Sequence, residues 1–220
     1  MLETVTAGDP MGTDGVVVWL HGLGADGCDF QPIVPELRLP STLRLRFVFP
    51  HAPVRPVTLN GGLPMRAWYD IAELTREGRH DPDGMRVSVE AIEALIDAEV
   101  ARGVSRNRIV LVGFSQGGAV ALTTGLGHAS GLAGIIGLST YLPDAEAVVS
   151  RRHPANRRTP VLLAHGQADP VLPIALGREV HHLLQAAGQP VEWHEYPMQH
   201  QVCLEEIVLV GDWLRQRFQA

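Results

Sequence analysis

The sequence is poor in cysteine, contains no long apolar run and begins without a signal-like segment. Cys28 and Cys203 are the two cysteines among 220 residues, and they lack the spacing of a zinc site or of a CxxC redox pair. A membrane-spanning helix needs roughly 18 consecutive apolar residues, and no such run occurs. Residues 1–6 lack the basic segment and apolar stretch of a secretory signal. We therefore expect a cytoplasmic protein with no metal site and no integral membrane association.

Positive charge is also scarce. Lys and Arg total 18 residues against 24 Asp and Glu, which gives a formal net charge of −6. Nucleic acids and anionic membranes attract basic surfaces, so this balance argues against both as partners. A hydrophobic content of 45% is sufficient to bury a core, and 220 residues fit a single domain, residues 1–220. Whether this domain forms a homodimer is left open.

Short apolar segments alternate with longer segments of helical periodicity, which is typical of an α/β protein with a mostly parallel sheet. A helix is predicted from Asp81-Pro82 to Gly103, because proline is favoured in a first helical turn and glycine after a last one. Another is predicted near the C-terminus, over 204–218. The predicted strands are Val16–Leu20, Leu45–Phe49, Ile109–Val112, Leu132–Leu138, Val161–Ala164 and Val191–Tyr196.

About thirty residues between Phe49 and Asp81 do not follow this alternation. They are rich in proline and glycine and contain the bulky pair Trp68-Tyr69. Loops of this length in a compact domain are usually functional or disordered. Two interpretations remain open: a surface excursion held by one buried tryptophan, or a wall of a substrate pocket.

A glycine motif follows the first predicted strand, where residues 21–27 read HGLGADG and contain a GxGxxG pattern. A dinucleotide-binding turn also requires an uninterrupted helix after the loop and an acidic residue at the end of the second strand. Pro32 and Pro35 interrupt such a helix, and the second strand ends in Pro50-His51. We therefore do not expect a nicotinamide or flavin site, and no cofactor is predicted.

A second motif, GFSQG at 113–117, places Ser115 between an apolar strand and a helix-forming run. A nucleophile elbow requires this order, because a cramped turn exposes the serine hydroxyl at the carboxyl end of the sheet. The alternative is an ordinary tight turn that uses Gly and Ser for their conformational tolerance. We interpret Ser115 as a catalytic nucleophile.

A serine nucleophile needs a histidine base and a carboxylate that orients the histidine. In this fold class the chain order is Ser, acid, His, with the groups on loops at the carboxyl ends of strands. His200 satisfies both conditions, since it lies just after the last predicted strand. The other histidines after Ser115 lie in predicted helices, in a strand, in a basic loop, or too early for an acid to precede them.

Two aspartates compete as the orienting acid. Asp169 follows the strand that precedes the last one, which is the usual position for this acid, and we favour it. Asp144 follows an earlier strand and can equally be an N-cap of the short helix 145–149. Asp169 has its own structural interpretation, because Asp-Pro often starts a turn.

The negative charge that develops on a carbonyl oxygen needs preorganised backbone N–H donors. The elbow geometry supplies one from Gln116, the residue after the nucleophile. The second should come from the loop after an earlier strand, and the glycine-rich segment 21–27 offers the Leu23 N–H. This assignment gives the GxGxxG pattern a role without a nucleotide.

Five segments together resemble the carboxylesterase, acyl-protein thioesterase and lysophospholipase family of small α/β-hydrolases, particularly its bacterial carboxylesterases. They are HGLGADG at 21–27, FPHAP at 49–53, RAWYD at 66–70, GFSQGG at 113–118 and HGQADPV at 165–171. The resemblance implies the α/β-hydrolase fold, the triad Ser115, Asp169 and His200, and oxyanion donors at Leu23 and Gln116. It also implies that the stretch 63–71 binds the acyl group. We accordingly expect Leu63, Trp68 and Val171 to contact substrate.

The sequence departs from this family beside the histidine, where Gln199 and Gln201 stand in place of small residues. The predicted function is a serine carboxylesterase for short- to medium-chain esters, with a shallow, open pocket and no separate lid. Acyl-protein thioesterase or lysophospholipase activity would use the same machinery and remains an alternative. A non-catalytic ligand-binding protein on this fold would be expected to have lost a triad residue, whereas all three candidates are present.

Overall fold

The computed structural model describes residues 2–8, 12–73 and 81–219. The α-helices in these ranges are α1 (Pro82–Ala101), α2 (Gln116–Gly127), α3 (Ala145–Ser150), α4 (Ile174–Ala186) and α5 (Leu204–Phe218). The strands are β1 (Thr4–Gly8), β2 (Gly15–Leu20), β3 (Leu45–Pro50), β4 (Val54–Val57), β5 (Leu63–Arg66), β6 (Ile109–Phe114), β7 (Gly134–Leu138), β8 (Val161–Gly166) and β9 (Val191–Tyr196).

Seven strands form one twisted sheet in the order β1-β3-β2-β6-β7-β8-β9. Strand β1 pairs antiparallel with β3, and the other pairings are parallel. The carboxyl ends of β2, β6 and β8 therefore meet at one edge of the sheet, where loops from neighbouring strands can build a common site. This arrangement agrees with the α/β class predicted from the alternating pattern.

Both faces of the sheet are covered, and alternate residues of each central strand enter different apolar cores. In β2, Val16 and Val18 belong to the core formed with helices α1 to α4. Val17 and Trp19 belong to the opposite core, formed with α5 and a 3₁₀ helix at Gln31–Leu37. Strands buried on both faces should be apolar throughout, which explains the continuous apolar runs of the sequence.

The structure differs from the sequence prediction in the segment between β3 and α1. Strands β4 and β5 form a separate two-stranded hairpin there, in which Pro56 lies opposite Pro64. Proline cannot donate to a β-ladder, and these prolines concealed both strands from a pattern-based prediction. The predicted strand at 132–138 begins later than expected, because Gly134 is the first of its residues to pair with β6.

Two structural properties bear on the sequence expectations. No helix in the described ranges is long and apolar enough to cross a membrane. Cys28 and Cys203 are both free thiols, so no disulfide joins them.

Glu206, in the first turn of α5, is a buried carboxyl group. It is fully buried, and neither carboxyl oxygen has a hydrogen-bond partner in the described part of the chain. Burial raises the pKa of this carboxyl to about 8, because the charged form loses its hydration inside the protein. The nearby Cys203 N–H opposes this rise without completing a hydrogen bond. Glu206 is consequently protonated over much of the neutral range.

We expect Glu206→Gln to stabilise the protein in a pH-dependent way. The folded form binds the proton more tightly than the unfolded chain, whose pKa is about 4.5, so the parent loses stability as pH rises from about 4.5 to about 8. A neutral glutamine avoids this loss and should raise the free energy of unfolding at pH 8 by about 2–4 kcal/mol, with little change at pH 4. Thermal unfolding at both pH values tests this, with the exposed Glu205→Gln as control. Equal gains at the two pH values would contradict it.

Candidate active site

Ser115 lies in a sharp turn between β6 and α2, at the carboxyl end of the sheet. Its backbone adopts φ 53° and ψ −122°, a conformation that L residues rarely occupy. The turn fits closely against β2: a Cβ atom added at Gly117 would lie 2.5 Å from the His21 carbonyl oxygen. A glycine at position 117 is therefore required by the close approach of two backbones.

A continuous chain of hydrogen bonds joins three of the predicted residues. The Nε2 atom of His200 lies 3.0 Å from Ser115 Oγ, and its Nδ1 atom lies 2.7 Å from Asp169 Oδ2. His200 is partly exposed, whereas the Asp169 side chain is fully buried. The structure thus brings together residues that lie as much as 85 positions apart in the chain.

The second oxygen of Asp169 is also occupied. Oδ1 accepts hydrogen bonds from the backbone N–H groups of Val171 and Leu172, at 2.9 and 2.8 Å. Two N–H donors to one carboxylate oxygen hold the side chain in a single orientation. The competing Asp144 begins α3 with φ 48°, and its side chain forms no capping hydrogen bond. Asp144 therefore does not act as the side-chain N-cap that its position suggested.

His165 supports Asp169 from behind, a role that the sequence gave no signal for. It is fully buried, its Nε2 donates to the Leu172 carbonyl at 2.8 Å, and the same nitrogen lies 3.5 Å from Asp169 Oδ2. Burial lowers the pKa of His165, so the ring stays neutral. A neutral ring with its proton on Nε2 anchors the turn that carries Asp169 without competing for its charge.

The two predicted oxyanion donors take no part in the hydrogen-bond network of the described residues. Neither the Leu23 N–H nor the Gln116 N–H donates to another residue within the described ranges. The loop that carries Leu23 is held by His21, whose Nδ1 donates to the Gly22 carbonyl at 2.7 Å and whose Nε2 accepts from the Ala52 N–H at 3.0 Å. Two backbone N–H donors are therefore available, one at the start of α2 and one on the loop that His21 anchors.

A cavity of about 510 Å³ opens over Ser115 and His200, within the range of about 300–1,000 Å³ typical of small-molecule sites. Its lining is mostly apolar, and among the described lining residues the one carboxylate belongs to Asp29. The lining residues are Gly22, Leu23, Ala25, Asp29, Phe30, Leu59, Asn60, Ile71, Phe114, Ser115, Gln116, Tyr141, Val171, His200, Gln201 and Val202. A larger cavity of about 670 Å³ lies between α3 and α4 and contains none of the three hydrogen-bonded residues.

The structure places one of the three expected substrate contacts at this cavity and two elsewhere. Val171 lines it. Leu63 lies on the β4–β5 hairpin, outside the lining, and is 63% exposed. Trp68 is fully buried and lies outside the lining. Its backbone N–H and its indole N–H both bond to acceptors of the protein. The wall near this segment is instead formed by Leu59, Asn60 and Ile71.

The two glutamines beside His200 have different positions. Gln201 lines the cavity, whereas Gln199 is exposed outside it. The Phe114 ring packs against the His200 ring at a centroid distance of 4.9 Å and supports the base from the other side. Of the two glutamines that depart from the family pattern, Gln201 is therefore the one that lines the cavity.

Comparisons with known proteins find similar sequences and similar structures. The phospholipase/carboxylesterase family model matches residues 3–217. Acyl-protein thioesterase 1 of Yarrowia lipolytica is 40% identical over 205 residues, covering 91% of this chain and 90% of the relative. The crystal structure of Zea mays acyl-protein thioesterase 2 has a TM-score of 0.86 at 30% identity and covers 99% of this chain and 100% of that one. Arabidopsis thaliana SOBER1 gives 0.87 at 30% identity, covering 92% and 98%.

These likenesses confirm the α/β-hydrolase fold and the family resemblance predicted from the five sequence segments. They extend over nearly the whole chain, and the curated relative is matched over nine-tenths of its own length. The chain belongs to the phospholipase/carboxylesterase family and is an enzyme of the serine hydrolase class.

Proposed function

We propose that this enzyme hydrolyses uncharged carboxylic esters and thioesters through a covalent acyl-enzyme on Ser115. The observation that carries the proposal is the hydrogen-bonded chain from Asp169 through His200 to Ser115 at the floor of the cavity. A serine hydroxyl is a weak nucleophile at neutral pH, and this arrangement supplies the base that activates it.

The proposed reaction has two steps. His200 Nε2 takes the proton as Ser115 Oγ bonds to the substrate carbonyl carbon, and the imidazolium then donates that proton to the departing alcohol or thiol. Water repeats the sequence on the acyl-enzyme, giving its proton to His200 and releasing the carboxylic acid while the serine recovers its hydrogen. Asp169 accepts from His200 Nδ1 throughout, which keeps Nε2 free to act as the base.

The tetrahedral intermediate of each step carries a negative oxygen. We propose that the N–H groups of Leu23 and Gln116 bind it, because both residues line the cavity and neither N–H has an acceptor within the described residues. Loss of one such donor typically costs about 10²- to 10³-fold in rate.

The cavity lining favours an uncharged leaving group over coenzyme A. No arginine lies among the described lining residues, and the carboxylate of Asp29 would repel the phosphates of a coenzyme A thioester. A thioester on a protein or peptide carries no such phosphates. This observation supports the thioesterase alternative alongside ester hydrolysis, as do the names of the relatives.

A panel of matched substrates tests the proposal. We expect p-nitrophenyl esters of short and medium chain length to be hydrolysed in preference to those of sixteen carbons. An octanoyl thioester of N-acetylcysteamine should give a kcat/KM about 10-fold or more above that of octanoyl-coenzyme A at low salt. Asp29→Asn should lower the ratio of the two kcat/KM values, N-acetylcysteamine thioester over coenzyme A thioester. Asp83→Asn, at an exposed position on α1, should leave this ratio unchanged. A preference for coenzyme A would contradict the assignment.

A further inference from the structure

The two proposed oxyanion donors come from separate parts of the chain. Leu23 follows β2, and Gln116 begins α2 after β6. An oxyanion hole works only if its donors hold the correct spacing before the reaction begins. The stretch between β5 and α1 contacts Gln116 and also His21, which lies two residues before Leu23.

The Gln116 side chain forms the first of these contacts. Gln116 lines the cavity, and its side-chain amide is buried against the segment between β5 and α1. Oε1 accepts from the Trp68 N–H at 2.8 Å, and Nε2 donates to the Tyr69 carbonyl at 2.8 Å. Two hydrogen bonds from one planar amide fix the orientation of this side chain against residues 68–69.

The Trp68 indole forms the second contact. Its Nε1 donates to the His21 carbonyl at 2.9 Å, and the two rings pack with centroids 5.3 Å apart. His21 in turn holds the Gly22 carbonyl, directly before Leu23. The Trp68 carbonyl accepts a short hydrogen bond from Ser88 Oγ on α1. Trp68, His21 and Ser88 are at most 3% exposed, so water cannot substitute for these bonds.

We propose that Trp68 is a positioning residue that sets the spacing of the two oxyanion donors, and not a substrate contact. This one residue bonds through its backbone N–H to the Gln116 side chain and through its indole N–H to the loop that carries Leu23. Displacement of a catalytic group by about 1 Å can cost about 10²-fold in rate. The inference rests on the proposed function, because it assumes that the two N–H groups bind the oxyanion.

Trp68→Phe tests this by removing the indole N–H while keeping an aromatic ring. We expect kcat for a p-nitrophenyl ester to fall about 10- to 100-fold, with KM changed less than twofold. A trifluoromethyl ketone adds to the serine as an oxyanion, so its inhibition constant should rise by the same factor as kcat falls. The inhibition constant of the matching methyl ketone, which stays largely unreacted, should not change.

Trp213→Phe is the matched control. Trp213 is also buried and donates one indole hydrogen bond, to Glu192 at 3.2 Å, but it lies on α5 in the opposite core. Its kcat should stay within twofold of the parent. If Trp68→Phe does not fold, Gln116→Met takes its place, because it removes the amide contacts and retains the backbone N–H. It should give the same fall in kcat and the same rise in the inhibition constant of the trifluoromethyl ketone.

Two results would overturn the inference. One is a Trp68→Phe kcat within twofold of the parent, and the other is a loss of kcat without weaker trifluoromethyl ketone inhibition. Both leave the proposed function intact, provided that parent hydrolysis depends on Ser115. Hydrolysis that survives removal of the Ser115 hydroxyl would instead contradict the proposed function itself.

Discussion

Ser115→Ala is expected to lower kcat for a p-nitrophenyl ester by about 10⁴- to 10⁶-fold, because it removes the atom that forms the acyl-enzyme. The side chain of Ser115 bonds to His200, and its backbone N–H bonds to the Leu138 carbonyl. The substitution keeps the backbone bond, so thermal unfolding should change little. Kinetics and labelling by a fluorophosphonate measure the same hydroxyl independently.

Ser150→Ala is the matched control, since it removes an exposed hydroxyl from α3. It should keep full activity and full labelling. Equal labelling of Ser115→Ala and the parent would exclude Ser115 as the nucleophile. Loss of labelling with activity retained would show a second hydrolytic site.

Asp169→Asn should lower kcat by about 10⁴-fold with little effect on the fold. The amide oxygen can keep the hydrogen bonds from Val171 and Leu172, so the turn survives. The amide NH₂ then faces His200 Nδ1, which must accept instead of donate. The proton moves to Nε2, and the ring can no longer accept the proton of Ser115.

Asp144→Asn tests the other candidate for the acid that orients His200. Asp144 lines the larger cavity beside α3, away from the hydrogen-bonded chain, and its substitution should leave kcat within twofold. A large loss in Asp144→Asn together with an active Asp169→Asn would reverse the assignment. Steady-state kinetics on one ester decide between them.

Much of the fold could be predicted because its signals are local. Strands buried on both faces, such as β2 and β6, must be apolar throughout, and helices such as α1 show their own periodicity. The hairpin β4–β5 was missed because its pairing brings Pro56 opposite Pro64, and proline normally argues against a strand.

The candidate site was partly predictable for a related reason. The order of the elbow, acid and base along the chain, each after a strand, reflects how a parallel sheet collects its carboxyl ends at one edge. The supporting residues His21 and His165 gave no comparable signal. Each acts through a buried ring that bonds to backbone carbonyls, and backbone acceptors leave no trace in residue spacing.

The sequence by itself determined the class of protein, through the scarcity of cysteine, of positive charge and of long apolar runs. The order of its motifs determined the candidates Ser115, Asp169 and His200. Only the tertiary structure decided which side chains face the cavity. Val171 and Gln201 reach it, whereas Trp68 turns inward to bond with His21 and Gln116. The direction of a side chain depends on which buried donors must find acceptors, and that requirement exists only once the chain has folded.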